Sequence, residues 1–143
     1  MRLRGERGQT TLLIVGFAVV AAMMVGVVVD ASAAYLRRQG LDSVADGAAL
    51  AAADGIQGEQ VYQGGLGEHA DIDPDVARGY VADYLRATGA PARYPGLAWA
   101  VEQAGDRVVV RVRAPVQLPI APPGWEGRPM IGAVASALVL VSP

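Results

Sequence analysis

The side chains that carry most enzyme chemistry are sparse in this chain of 143 residues. His69 is its one histidine, it has no cysteine, and no partner motif surrounds its four serines. A two-histidine metal site and a thiolate site are therefore excluded, and a Ser-His-Asp arrangement has only chance support. We expect His69 to be a solvated loop residue. We expect the chain not to be an enzyme and to have no catalytic residue, no cofactor and no metal.

Three aspartates at alternating positions, Asp71, Asp73 and Asp75, have the spacing that opens a calcium-binding loop. Such a loop also requires Gly at its sixth position and Glu at its twelfth. Val76 and Ala82 stand there instead. Helix capping explains two of the acids, with Asp73 as the N-cap, a proline next and Asp75 in the first turn. The sequence therefore favours a helix start over a calcium site.

Overall charge and length exclude other classes. The formal net charge is −2 and all twelve basic residues are arginine, so the chain lacks the basic footprint of a nucleic-acid-binding protein. At this length it holds one compact soluble domain at most, once any membrane anchor is set aside.

The chain has an uncharged stretch, residues 10–29, in which sixteen of twenty side chains are Leu, Ile, Val, Phe, Met or Ala. As a helix it would be about 30 Å long, the thickness of a bilayer core. Arginines 2, 4 and 7 precede it, which predicts a cytoplasmic segment 1–9 and an extracytoplasmic remainder. A cleaved secretory signal is the alternative, because Ala31-Ser32-Ala33 resembles a cleavage site, although signal peptides have a shorter apolar region.

Residues 30–54 predict an amphipathic continuation of the same helix, which we expect to stop at Asp54-Gly55. Arginines 37 and 38 and aspartates 42 and 46 interrupt its apolar positions, so one face should pack and the other remain polar. The positions that we expect on the packed face are Leu36, Gly40, Val44, Gly47 or Ala48, and Ala51.

Small residues recur every four positions in the apolar stretch, at Ala18, Ala22 and Gly26, with Asp30 next in the row. Such a row lets helices approach closely in lipid, which makes it a candidate assembly face. An Ala- and Gly-rich sequence also produces this spacing by chance. Asp30 either pairs with a charge on a neighbouring subunit or is hydrated at the membrane interface.

The rest of the chain predicts a small α+β domain. Residues 55–73 are an acidic, Gly-rich connector, and residues 74–143 begin with a short helix that ends at Gly89. Turn residues are expected at 91–96, followed by strands at 97–103, 107–114 and 131–141. In the second strand, Val108, Val110, Val112 and Ala114 alternate with Val109, Arg111 and Arg113, which predicts one buried and one solvated face. Trp99 is expected in the core. Trp125, in a Pro-rich loop, is a candidate for a contact surface or for packing over the sheet edge.

Several sequence features, which follow one another along the chain, together resemble a known protein family. They are Glu6-Arg7-Gly8-Gln9, the apolar stretch, Val29-Asp30, Tyr35 and the run from Asp46 to Ala53, in which Asp46, Ala48, Ala49, Leu50 and Ala51 carry the motif. Over residues 6–53 the chain resembles the TadE/TadG-like proteins of the Tad (Flp-type) pilus assembly family. The resemblance implies a pseudopilin or pilus-assembly component, anchored in the inner membrane with an external domain. The predicted arrangement, a long N-terminal helix lying against a small three-stranded antiparallel sheet, is also pilin-like.

The resemblance also raises the question of processing. Prepilin-like members of such systems are cut after a glycine and typically have Glu five residues later. Here the corresponding bond joins Gly8 and Gln9, but the fifth residue is Leu13 and no acid follows until Asp30. The sequence thus favours an uncleaved, TadG-like anchor.

Together these features predict a structural component of a Tad-type pilus or related secretion system, either pseudopilin-like or an assembly factor. We expect a single-pass protein of the inner or cytoplasmic membrane, with its C-terminal domain outside. Its partners would be the membrane and other pilus or secretion subunits in a hetero-oligomer, and no nucleic acid. The alternative is an extracytoplasmic ligand- or surface-binding module, tethered or released by signal peptidase.

Overall fold

The computed structural model describes residues 6–62, 73–116, 119–120, 127 and 129–139. Its elements are α1 (Glu6–Tyr62), α2 (Pro74–Ala87), α3 (Ala90–Arg93), β1 (Ala98–Ala104), β2 (Arg107–Pro115) and β3 (Met130–Leu138). A long N-terminal helix, a short helix and a three-stranded antiparallel sheet confirm the predicted α+β class. His69, Asp71 and Trp125 lie outside the described residues, as do 63–72 of the predicted connector and the end of the third predicted strand.

The chain divides into two compact units. One comprises Met1–Tyr35 with Leu118–Trp125, and the other comprises Leu36–Gln117 with Glu126–Pro143. Helix α1 contributes its first part to one unit and its second part to the other. We call residues 10–29 of α1 the apolar segment and residues 41–56 the packed segment.

Helix α1 is longer than predicted. It is continuous for 57 residues and passes through Asp54-Gly55, so the stop expected there is wrong. The glycine serves a different purpose: a Cβ at position 55 would collide with the ring of Tyr80 on α2. Gly55 therefore permits close packing of the second helix, and its cost of about 1 kcal/mol in helix propensity does not end α1.

The packed segment contributes one face of α1 to the hydrophobic core. Its buried positions recur at the three- and four-residue spacing of a helix face. They are Leu41, Val44, Ala45, Ala48, Ala49, Ala52, Ala53 and Ile56. The predicted face was partly wrong, because Leu36 is 64% exposed and Ala51 is half-buried. Two of the predicted positions, Val44 and Ala48, are buried in the core.

Helix α2 begins as predicted. Asp73 is the N-cap, and its Oδ1 accepts a hydrogen bond of 2.8 Å from the backbone N–H of Asp75. Pro74 occupies the first turn, where its missing N–H has no helical partner to lose. Ala77, Val81 and Leu85 form the buried face and join the same core as the packed segment.

The predicted turn at 91–96 instead begins with the four-residue helix α3. Gly89 precedes it with a φ of 67°, a left-handed conformation that glycine adopts without steric cost. Ala90 and Tyr94, at the two ends of α3, are buried. This short helix therefore connects α2 to the sheet and covers part of the core.

The sheet has the order β1-β2-β3, and both strand pairs are antiparallel. Val108, Val110, Val112 and Ala114 are buried while Arg111 and Arg113 are exposed, which confirms the alternation predicted for β2. Strand β1 lies one residue later than expected, and β3 begins one residue earlier. The packed segment and α2 provide the apolar layer against the inner face.

Trp99 is not a core residue. It pairs with Val112, and directly opposed residues of antiparallel strands share a face, so its side chain is on the core side of the sheet. It remains 37% exposed because it lies towards the start of edge strand β1. Val101, two residues on, is the buried residue of this strand.

Candidate functional site

The apolar segment presents large side chains outward all around the helix. Leu12 and Phe17 are 75% and 74% exposed, and Val25 and Val28 are each 63% exposed. Among the described residues, α1 is the one helix that is long and apolar enough to cross a membrane. A helix that is hydrophobic all round requires an apolar environment, which is the property of a membrane span. The long apolar N-terminal helix thus fits a single-pass membrane anchor.

The row of small residues lies along α1 at intervals of four residues. Ala18 and Ala22 are exposed, whereas Gly26 and Asp30 are half-buried. The structure therefore places all four predicted residues in register on one helix, with the first two open to a partner. The four-residue interval advances the row by about 40° per step, so it winds slowly around the helix.

Asp30 has a partner within its own chain. Its Oδ1 accepts a hydrogen bond of 2.9 Å from the backbone N–H of Ile120. A Cβ placed on Gly26 would lie 3.8 Å from the Ile120 Cδ1, at ordinary contact distance. Neither environment expected for Asp30, a subunit ion pair or simple hydration, included this contact. A bond between residues 90 positions apart leaves no signal in the sequence.

The family motif divides between the core and the surface. Ala48 and Ala49 are buried at 0% and 1% exposure, Ala51 is half-buried, and Asp46 and Leu50 are exposed. The short alanine side chains let the sheet and α2 pack close to α1. In this chain the motif therefore builds the docking face for the small domain, and its exposed members remain available for other contacts.

Glycines and tyrosines make a second set of contacts that sequence reasoning missed. A Cβ at Gly40 would collide with the Tyr94 hydroxyl, and one at Gly47 with the Tyr84 hydroxyl. A Cβ at Gly55 would likewise collide with the ring of Tyr80. The contact moves from Tyr84 back to Tyr80 as α1 advances from Gly47 to Gly55, so α2 runs antiparallel to α1. The available signal was the spacing: glycines at 40, 47 and 55 recur at about two helical turns.

An exposed row on the opposite side of the packed segment combines acids with one leucine. Asp42, Asp46, Leu50 and Asp54 follow one another at intervals of four residues, and all are exposed. Leu50 is 58% exposed, a large apolar side chain between two carboxylates.

The residues that suggested metal or acid–base chemistry have structural roles where they are described. Asp73 caps α2, and Asp75 forms a 2.6 Å ion pair with Arg78 one turn later. Within the described parts of the chain, no three acidic, histidine or cysteine side chains gather in a group able to hold a metal ion. Arg111 on the outer sheet face is paired with Glu102 at 3.2 Å.

Comparison with known protein families finds a match within α1. Residues 8–55 match the family described as putative Flp pilus-assembly TadE/G-like, which confirms the resemblance seen in the sequence. The match covers about a third of the chain and includes the apolar segment, Asp30 and the motif from Asp46 onward. It relates the chain to Flp pilus assembly. No curated protein and no solved structure matches the chain.

Proposed function

We propose that this chain is a membrane-anchored structural component of a Flp-type pilus assembly apparatus. The observation that carries the proposal is the family match over residues 8–55, which contains the whole apolar segment and all but the last residue of the packed segment. One continuous helix thus combines a length of exposed apolar surface with a docking face for the small domain. Such a chain works by holding and positioning other subunits.

The proposed orientation places the N-terminus in the cytoplasm and the sheet domain outside. The support is the distribution of charge: three arginines precede the apolar segment and Asp30 is the first charged residue after it. Basic residues beside a span remain on the cytoplasmic side. The proposed location is accordingly the inner or cytoplasmic membrane, crossed once.

Retention as an intact anchor is part of the proposal. Both Gly8 and Ala33 lie within the continuous helix α1, so a cut at either position would divide that helix. A released form starting near Ala34 would lose the whole apolar segment while keeping the packed segment. The released extracytoplasmic binding module is therefore the competing outcome, and no contact among the described residues specifically favours it.

The first experiment is the mass of the N-terminus of the full chain recovered from membrane and secreted fractions of its host. The expected result is a membrane protein that begins at Met1 or Arg2. A start at Gln9 would show prepilin-type processing despite Leu13 and would point to incorporation in a filament. A start near Ala34 in the secreted fraction would overturn the anchored proposal.

A second experiment tests the row of small residues as an assembly face. Ala22→Leu places a bulky side chain in the row, while Ala21→Leu makes the same change about 100° around the helix. We expect Ala22→Leu to weaken subunit association by about 5- to 30-fold, the equivalent of about 1–2 kcal/mol for a helix contact in lipid. Ala21→Leu should leave association unchanged.

The readout for this pair is co-purification of pilus subunits from the host membrane together with counts of surface pili. Membrane retention is measured for both variants, because each should insert equally well. Equal effects of the two substitutions would show that the small residues reflect composition and not an assembly face.

A further inference from the structure

A residue from the Pro-rich part of the chain lies beside the apolar segment. The Ile120 N–H is bonded to Asp30, and the Ile120 side chain extends towards Gly26, one helical turn closer to the N-terminus. The four residues from Gly26 to Asp30 span about 6 Å along the helix axis. The Ile120 side chain is therefore at the level of the uncharged stretch, on the N-terminal side of Asp30.

Ile120 lies against an exposed apolar part of the helix. Ile120 itself is 52% exposed, and Val27 and Val29, which lie between Gly26 and Asp30 in the helix, are 68% and 43% exposed. An isoleucine against a helix of this kind does not complete a buried core; it enlarges the exposed apolar surface of the helix.

The local sequence has the composition of a membrane-contacting segment. Residues 114–125 contain no charged side chain, and they include Leu118, Ile120 and Trp125. Tryptophan and aliphatic residues are favoured where a chain meets the boundary between lipid headgroups and acyl chains. The bond from Asp30 satisfies one backbone N–H of this segment at that level, which lowers the cost of placing a peptide group there.

From this geometry we propose that Ile120 forms a second membrane contact, with its side chain inserted in the outer leaflet beside α1. The proposal rests on the proposed function, because it needs the apolar segment to span the bilayer. Asp30 acts as the positioning residue: its carboxylate holds the Ile120 backbone at the interface. The occupant is lipid, since Ile120 continues the apolar surface that the span itself presents.

The test uses the absence of cysteine from the chain. Single cysteines are introduced in the full-length protein as Ile120→Cys, Val27→Cys and Ser136→Cys, labelled with a polarity-sensitive fluorophore and reconstituted in phosphatidylcholine–phosphatidylglycerol vesicles. Val27 is in the apolar segment, and Ser136 is an exposed residue of β3. Quenching is then measured with lipids that carry a nitroxide near the headgroup and with iodide in the water.

We expect the Ile120 label to be quenched by the shallow nitroxide lipid to within twofold of the Val27 label, and to be protected from iodide. The Ser136 label should show the reverse. Adding Asp30→Ala to Ile120→Cys should increase iodide quenching several-fold, because the backbone bond that holds Ile120 is then lost.

Three outcomes would contradict the inference, and they differ. An Ile120 label that behaves like Ser136 while Val27 is lipid-quenched overturns the second contact but leaves the anchor intact. An Ile120 label that resists both quenchers means that protein covers it, which also overturns the lipid assignment. If Val27 itself is open to iodide, the span and the proposed function fail together with the inference.

Discussion

The two segments of helix α1 place their apolar side chains in opposite surroundings. In the apolar segment, large side chains such as Phe17 and Met24 are 74% and 66% exposed. In the packed segment, small and medium side chains such as Ala45 and Leu41 have no exposed surface. Valine is the commonest residue of the apolar segment, and alanine is the commonest residue of the packed segment, which also carries aspartates.

What distinguishes them is the arrangement of charge around the helix. The packed segment carries acids on one side, so its apolar face has a fixed direction and binds one partner surface. The apolar segment carries none, so all its sides require the same environment. Full burial of each Val, Leu or Phe side chain is worth about 1.5–3 kcal/mol, a strong drive towards a bilayer for such a helix.

Glycine shows the same contrast at single positions. A Cβ at Gly16 in the apolar segment would meet nothing within 4 Å, whereas one at Gly40 or Gly47 would collide with a tyrosine. Gly16 is therefore open to substitution within the chain, whereas Gly40 and Gly47 are steric requirements of the small domain.

The largest expected effect comes from placing a carboxylate in each half. Ala48→Asp puts a charge at a position with 0% exposure and should cost about 4 kcal/mol or more, enough to abolish cooperative unfolding of the domain. Val20→Asp should leave the domain folded but reduce membrane retention, because Asp near the centre of a span costs about 2.5–3.5 kcal/mol.

These variants are compared as full-length protein in detergent by thermal unfolding followed by near-ultraviolet circular dichroism, and in cells by alkaline extraction of membranes. Ala48→Ser and Val20→Leu are the matched controls, because they change polarity or size without adding charge. Unfolding of the domain by Val20→Asp, or a normal melting curve for Ala48→Asp, would remove the distinction between the two halves.

A smaller effect tests the glycine contrast. Gly40→Ala should lower the free energy of unfolding by about 1–2 kcal/mol through overpacking, although alanine is the better helix former. Its Cβ would collide with the hydroxyl of Tyr94, which is only 6% exposed and has little room to move. Tyr94→Phe removes that hydroxyl. In the Tyr94→Phe background, Gly40→Ala should therefore be neutral or stabilising.

The matched control for this cycle is Gly79→Ala on α2, where a Cβ meets nothing within 4 Å and a gain of up to about 1 kcal/mol is expected. Stabilities are taken from urea unfolding of the detergent-solubilised chain. A gain of stability for Gly40→Ala with Tyr94 intact would show that the glycine is not required for packing.

Much of this architecture is readable from local pattern. The apolar segment, the Asp73 cap and the alternation of β2 each depend on neighbouring residues, and the structure confirms the last two directly. The predictions that failed depend on distant partners. Helix α1 continues through Gly55, on which the ring of Tyr80 packs, and Trp99 is partly exposed because β1 is an edge strand.

The candidate site shows the same limit. Spacing located Ala22 and Gly26 on one row, and the motif around Ala48 was found by resemblance. The bond from Ile120 to Asp30 joins segments with no local relation, so no periodicity or motif predicts it. Pairing of distant backbone and side-chain groups is specified by the tertiary fold and becomes visible only there.

The smallest expected effect separates stability from partner binding within the packed segment. Leu50→Ala should change the free energy of unfolding by less than about 0.5 kcal/mol, because Leu50 is 58% exposed and alanine is at least as good a helix former as leucine. Leu41→Ala makes the same change at 0% exposure and should cost about 2–5 kcal/mol. Both are measured by urea unfolding, and pilus counts in the host are taken for Leu50→Ala.

A fall in pili without a loss of stability would identify Leu50, between Asp46 and Asp54, as a contact for another subunit. Normal pili would confine the role of the packed segment to holding its own domain, and a loss of stability equal to that of Leu41→Ala would mean that this face is covered within the chain.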